Sequence, residues 1–220
     1  MNGKKLMTNG NFSENKREKG STISTLELHR AIQDGKKDIV EDLILHKRVS
    51  LEIKNDYGLS PLHVACTVKD FETIKLLLKM GVDINGRSSH EKTPLHLTAF
   101  SGDVQIFNYL IKFGANIKAQ DSQGVNVLHE AVLGGGLEVI DYIMKHKPNL
   151  TKKQDKHGQS PIHLAAFINL EQDGIKLLLK TDQDLHLEDI NGHTPLQMSE
   201  IYSDWSNIDL SLKKTNMFGK

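Results

Sequence analysis

Cysteine occurs once in the 220 residues, tryptophan once and proline five times. A lone thiol, Cys66, excludes an intramolecular disulfide and a multi-cysteine metal site. Net charge is missing as well: Lys+Arg and Asp+Glu are both 28. A balanced chain gives no support to nucleic acid or an anionic membrane as the main partner. No apolar run approaches the roughly 20 residues that cross a bilayer. The N-terminal stretch MNGKKLMTNGNFSENKREKG holds no apolar core of signal-peptide length, so a cytoplasmic or nuclear location is expected.

What is present is one phrase, written several times. LSPLHVACT starts at Leu59, KTPLHLTAF at Lys92 and QSPIHLAAF at Gln159. The marker positions Pro61, Pro94, Val127, Pro161 and Pro195 are 33, 33, 34 and 34 residues apart. Fixed-period self-similarity is the signature of a repeat architecture. Each copy reads as a short apolar helix, a break and a longer apolar helix such as VQIFNYLIKFG. Ser60, Thr93, Ser160 and Thr194 are N-cap residues, and the proline after each sits where its missing N–H does no harm. Leu95 and Ala99 share a helical face, as do Leu62 and Cys66, Leu128 and Val132, and Ile162 and Ala166. Gly81 and Gly114 are placed as left-handed C-terminal caps.

The T-P-L-H-x-A phrase at this period resembles the ankyrin repeat. The resemblance implies an all-α solenoid of helix pairs joined by β-turn fingers, stacked into a curved array. It divides the chain into a disordered tail (1–23), an N-terminal capping repeat (24–54), four full repeats (55–87, 88–120, 121–154, 155–188), a C-terminal capping repeat (189–212) and a short tail (213–220). At the N-terminal end a capping box, Ser24-x-x-Glu27, replaces Thr-Pro. At the C-terminal end Ile201, Trp205, Ile208 and Leu212 fall on one helical face and are expected to close the stack.

Departures from the pattern mark expected weak points. Lys147 and Asp182 stand where Gly81 and Gly114 stand in earlier copies. Glu91 replaces the finger glycine kept at Gly58, Gly124, Gly158 and Gly192. Gly134, Gly135 and Gly136 are expected to loosen the link between the helices of the third repeat. The third and fourth repeats are therefore expected to fray before the first two.

The residues that suggest chemistry dissolve on inspection. His63, His96, His129 and His163 share one position in four copies. Neighbouring helices stand roughly 10 Å apart, while zinc needs about 2 Å to each nitrogen. Four such histidines cannot share a metal. In the family this histidine bonds within its own turn and to neighbouring backbone. Cys66 occupies a small buried position. His129-Glu130 lacks the second histidine of a zincin. Asn85 sits where the family can carry a hydroxylated hairpin asparagine, and reads as a plain turn residue. No catalytic residue, cofactor or metal is expected.

The family implies recognition through the finger tips and the ends of the inner helices. By position these include Tyr57, Leu59, His90, Lys92 and His157 on the fingers, and Val68, Phe100, Leu133, Phe167 and Ile168 on the helices. Phe100, Leu133 and Phe167 occupy one equivalent position in three successive repeats, either as an exposed stripe or packed between inner helices. The expected function is a non-enzymatic, monomeric adaptor or cover for a protein partner. A narrower alternative is an IκB-like inhibitor of Rel-type transcription factors. The repeat count permits it, and the missing paired-serine motif and acidic tail weigh against it.

Overall fold

The computed structural model describes residues 26–46, 49–179, 185–202 and 205. Eleven α-helices occur among them, with no strand and one isolated bridge, Gln120 to Asn126. They come in pairs: α1 (26–33) with α2 (Lys37–Leu45), α3 (Pro61–Thr67) with α4 (Phe71–Lys79), and α5 (Pro94–Ser101) with α6 (Val104–Lys112). The series continues with α7 (Val127–Leu133) and α8 (Leu137–His146), then α9 (Pro161–Phe167) and α10 (Gln172–Leu179), and α11 (Pro195–Tyr202) opens a sixth unit. Inner helices stack α3 on α5, α5 on α7, α7 on α9 and α9 on α11, while outer helices stack α6 on α8 and α8 on α10. This is the all-α solenoid expected.

The inner helices are short because each begins and ends on a local signal. Ser60, Thr93 and Ser160 form capping boxes with the histidine at the third helical position, and proline opens each helix. Asn126 replaces the hydroxyl in α7 and accepts from the amides of Leu128 and His129. Gln197 replaces the histidine in α11 and accepts from the Thr194 amide at 2.9 Å. Leu95, Ala99, Ile106, Phe107 and Leu110 show how one pair fills its interior, since all are buried.

Each finger is a five-residue turn organised by one side chain. Asp121 accepts from the amides of Gln123 and Val125, and Asp155 from those of His157 and Gln159. Asn55 and Asp189 do the same in the first and last described fingers. The turn needs a left-handed residue at its fourth position, which Gly58, Gly124, Gly158 and Gly192 provide. Glu91 is held there at φ 59°, so the expected weak point is a strained one. The fingers also bond to each other, Ser122 N–H to His90 O at 2.9 Å and Ile190 N–H to His157 O at 3.0 Å.

Three expectations are corrected. Lys147 is not left-handed: its φ is −142°, and the chain leaves α8 directly into a 3-10 turn, Pro148–Lys152. The triple glycine is not a loose link. A Cβ on Gly134 would lie 1.8 Å from the Phe100 carbonyl oxygen, and one on Gly136 would lie 2.8 Å from the Gly102 Cα. These glycines let the end of α7 touch the end of α5, so the third repeat loses both grounds for fraying. At the C-terminal end Trp205 is buried, as the capping role requires, but Ile201 is exposed. Asp182, Ile208, Leu212 and the two tails lie outside the described residues.

Substitution reports each of these points by sign. Gly134→Ala is expected to lower stability by about 1–3 kcal/mol, the usual range for overpacking. A merely flexible link would instead gain about 0.4–1 kcal/mol from the same change. Urea unfolding of the variant distinguishes the two.

Glu91→Gly is expected to add about 1 kcal/mol by removing left-handed strain. Its salt bridge to Arg87, 3.5 Å and exposed, offsets little of that gain. Lys147→Gly is expected to lose up to about 1 kcal/mol, because a residue with negative φ gains nothing from glycine. The unfolding midpoints of the two variants should therefore move in opposite directions.

Candidate partner-binding surface

The four phrase histidines are all buried, and each is consumed by the scaffold. In His96 the Nδ1 atom accepts from the Thr93 amide at 3.1 Å and contacts the Thr93 hydroxyl at 2.9 Å. Its Nε2 lies 3.2 Å from the Val125 carbonyl oxygen. A nitrogen that accepts an amide proton carries none, and a carbonyl can only accept. The ring is therefore neutral, with its proton on Nε2. His63 reaches Lys92 O, His129 reaches Gln159 O and His163 reaches Leu187 O and His193 O in the same way. His29 in α1 reaches Leu59 O at 2.9 Å. Each link joins an inner helix to the next finger along the array.

Cys66 is buried, and burial pushes its thiol up to about 12, out of nucleophilic range. Asn85 is more than a turn residue. Its side chain accepts from the Asn116 amide at 2.8 Å and donates to the Gly114 carbonyl at 3.2 Å, joining two successive loops.

With these groups assigned, the open surface is the finger side of the inner helices. The chain reverses two residues after Thr67, Phe100, Leu133 and Phe167, at left-handed Lys69, Gly102, Gly135 and Asn169. That reversal holds the last inner-helix side chain clear of the core. Phe100 is 52% exposed, Leu133 38% and Phe167 52%, so the stripe is a surface rather than a seam between helices. Ile201 continues the row at 61% exposure, since it follows Pro195 by the same six positions that separate Phe167 from Pro161. That offset was available in the sequence, but Ile201 was read there as part of the C-terminal cap. The ring of Phe167 meets Tyr202 edge-on, with centroids 5.1 Å apart.

The other candidates scatter around this row. Val68 is exposed beside Thr67. Leu59 and Ile168 are half-buried and pack against the core. His90 and His157 are exposed at finger tips. Tyr57 stands apart at the first finger, in a shallow hollow with Leu26 and Arg30. Lys92 bonds to Glu130, whose carboxylate is buried in α7 where Val64, Leu97 and Leu164 occupy the other copies. Burial pushes the Glu130 carboxyl above its ordinary range, and the Lys92 ammonium opposes that shift.

A stack of inner and outer helices with projecting fingers and an apolar inner row defines the class of repeat scaffolds. Residues 28–121 match the family model for ankyrin repeats, in three copies. A putative ankyrin repeat protein of fowlpox virus (strain NVSL), FPV233, is 42% identical over 62 residues, which is 28% of this chain and 12% of that protein. Residues 28–121 are thus of the ankyrin repeat type.

The buried histidines make stability depend on acidity. Burial holds His63, His96, His129 and His163 below the ordinary histidine range, and His96 falls to about 4. The backbone acceptor of His96, Val125, opposes that fall, as does the charge of Asp121. The unfolded chain therefore takes up protons before the folded one does. Stability is complete above about pH 6.5 and falls as pH drops from there toward 4. His96 alone contributes about 3 kcal/mol to that loss. Urea unfolding at pH 7.5, 6, 5 and 4 is expected to show a declining midpoint, and a midpoint level down to pH 4 would contradict the neutral buried rings.

Proposed function

We propose that this protein is a non-enzymatic binding module that holds a protein partner on the face built by its fingers and inner helices. The observation that carries the reading is the row of Phe100, Leu133 and Phe167. Three bulky apolar side chains recur at one position in consecutive repeats, and all are exposed. Keeping such a row in water has no folding benefit, and contiguous exposed apolar surface marks interaction sites. The match of residues 28–121 to ankyrin repeats supports a protein as the ligand. The groups that suggest catalysis or metal binding are already committed to backbone bonds, as the histidines show. The narrower reading as an inhibitor of Rel-type factors rests on repeat number alone.

Phe100→Ser combined with Phe167→Ser is expected to abolish capture of the main partner from cell extract. Truncating central aromatic anchors typically costs about 2 kcal/mol or more of binding. The thermal midpoint should barely move, because exposed substitutions stay within about 0.5 kcal/mol each. A melt and a pull-down on the double variant decide the matter. Full capture by the folded variant would exclude the row.

A further inference from the structure

The two edges of the row differ in charge. In the central repeats the finger edge carries Lys156, exposed and without a side-chain partner among the described residues, and Lys92, whose side chain keeps 33% of its surface. His90 and His157 are exposed on the same edge. The finger carboxylates are committed elsewhere: Asp121 and Asp155 bind amides of their own turns, Glu130 holds Lys92 and Glu91 lies against Arg87. The opposite edge, where Gly102, Gly135 and Asn169 turn the chain, offers no cation between Phe100 and Glu171. The floor is therefore apolar, one edge carries the ammonium groups of Lys156 and of Lys92, the latter paired with Glu130, and the other edge carries no cation.

The floor also lacks free backbone donors. At the ends of the inner helices the Gly102, Gly134, Gly135 and Ile168 amides all donate to carbonyls within their own turns. An extended segment laid there would find no ladder for its own N–H and C=O groups, whereas a helix satisfies them internally. Successive row members follow inner helices spaced roughly 10 Å apart. Two turns of an α-helix, seven residues, advance by about the same distance.

We infer that the row takes an amphipathic helix of the partner, with apolar residues seven apart facing Phe100, Leu133 and Phe167 and carboxylates along the edge facing Lys92 and Lys156. This inference rests on the proposed binding function and specifies its ligand. The Lys92–Glu130 pair contributes by holding an ammonium at the rim. One helix of roughly 20 residues spans the four positions from Phe100 to Ile201.

The test uses two displayed libraries of helices of about 21 residues. Both are randomised among apolar residues at the seven-spaced positions. One carries Glu along the flanking edge and the other carries Lys. Sorting against the full chain is expected to enrich the Glu library. Its winners should weaken at least about tenfold on the folded Phe100→Ser/Phe167→Ser variant and on Lys156→Glu. Equal enrichment of the Lys library, enrichment of neither, or winners indifferent to these substitutions would overturn the inference. A natural partner that crosslinks to the row through a basic or non-helical segment removes this inference and leaves the binding function standing. A partner that never touches the row removes both.

Discussion

The bond from each inner-helix histidine to the carbonyl of the next finger is the constraint on which the array depends. One imidazole closes its own helix through Nδ1 and reaches forward through Nε2, so local capping and repeat stacking share a single side chain. The link works only if the next finger returns to the same place. The partners are 29 or 30 residues apart for His29, His63, His96 and His129. That requirement gives the 33–34-residue period a physical meaning. It also keeps the rings of His63, His96, His129 and His163 buried and bonded to backbone.

Close approach at the inner helices follows from the same stacking. The end of α7 rests against the end of α5, and only glycine at positions 134 and 136 allows it. The finger side is tied by amide-to-carbonyl bonds between neighbouring tips and the loop side by Asn85. With these groups used internally, the apolar row is left exposed on the array. The buried Glu130 is the exception to an otherwise apolar position. A buried ion pair is weak evidence for stability, because desolvation offsets much of the attraction. Its effect at this site is to fix where the Lys92 ammonium stands.

Much of the scaffold was legible because its signals are local. Thr93-Pro94-Leu95-His96 specifies a helix start within four residues, and its recurrence gives the period. The Asp-x-x-Gly turns at 121–124, 155–158 and 189–192 were equally readable, and the finger geometry follows from them. The equivalence of Phe100, Leu133 and Phe167 was visible by counting. Ile201 was visible by the same count but was assigned to the face that closes the stack.

The sequence by itself determined the repeat and the capped start of each inner helix, because caps and turns act over a few residues. Tertiary structure decided whether the apolar row faces water, since that depends on where each chain reversal places the last side chain of an inner helix relative to its neighbours. It also decided that the triple glycine is a tight contact and that Lys92 meets Glu130, 38 residues away. Both depend on the distance between stacked helices, a quantity no local signal encodes.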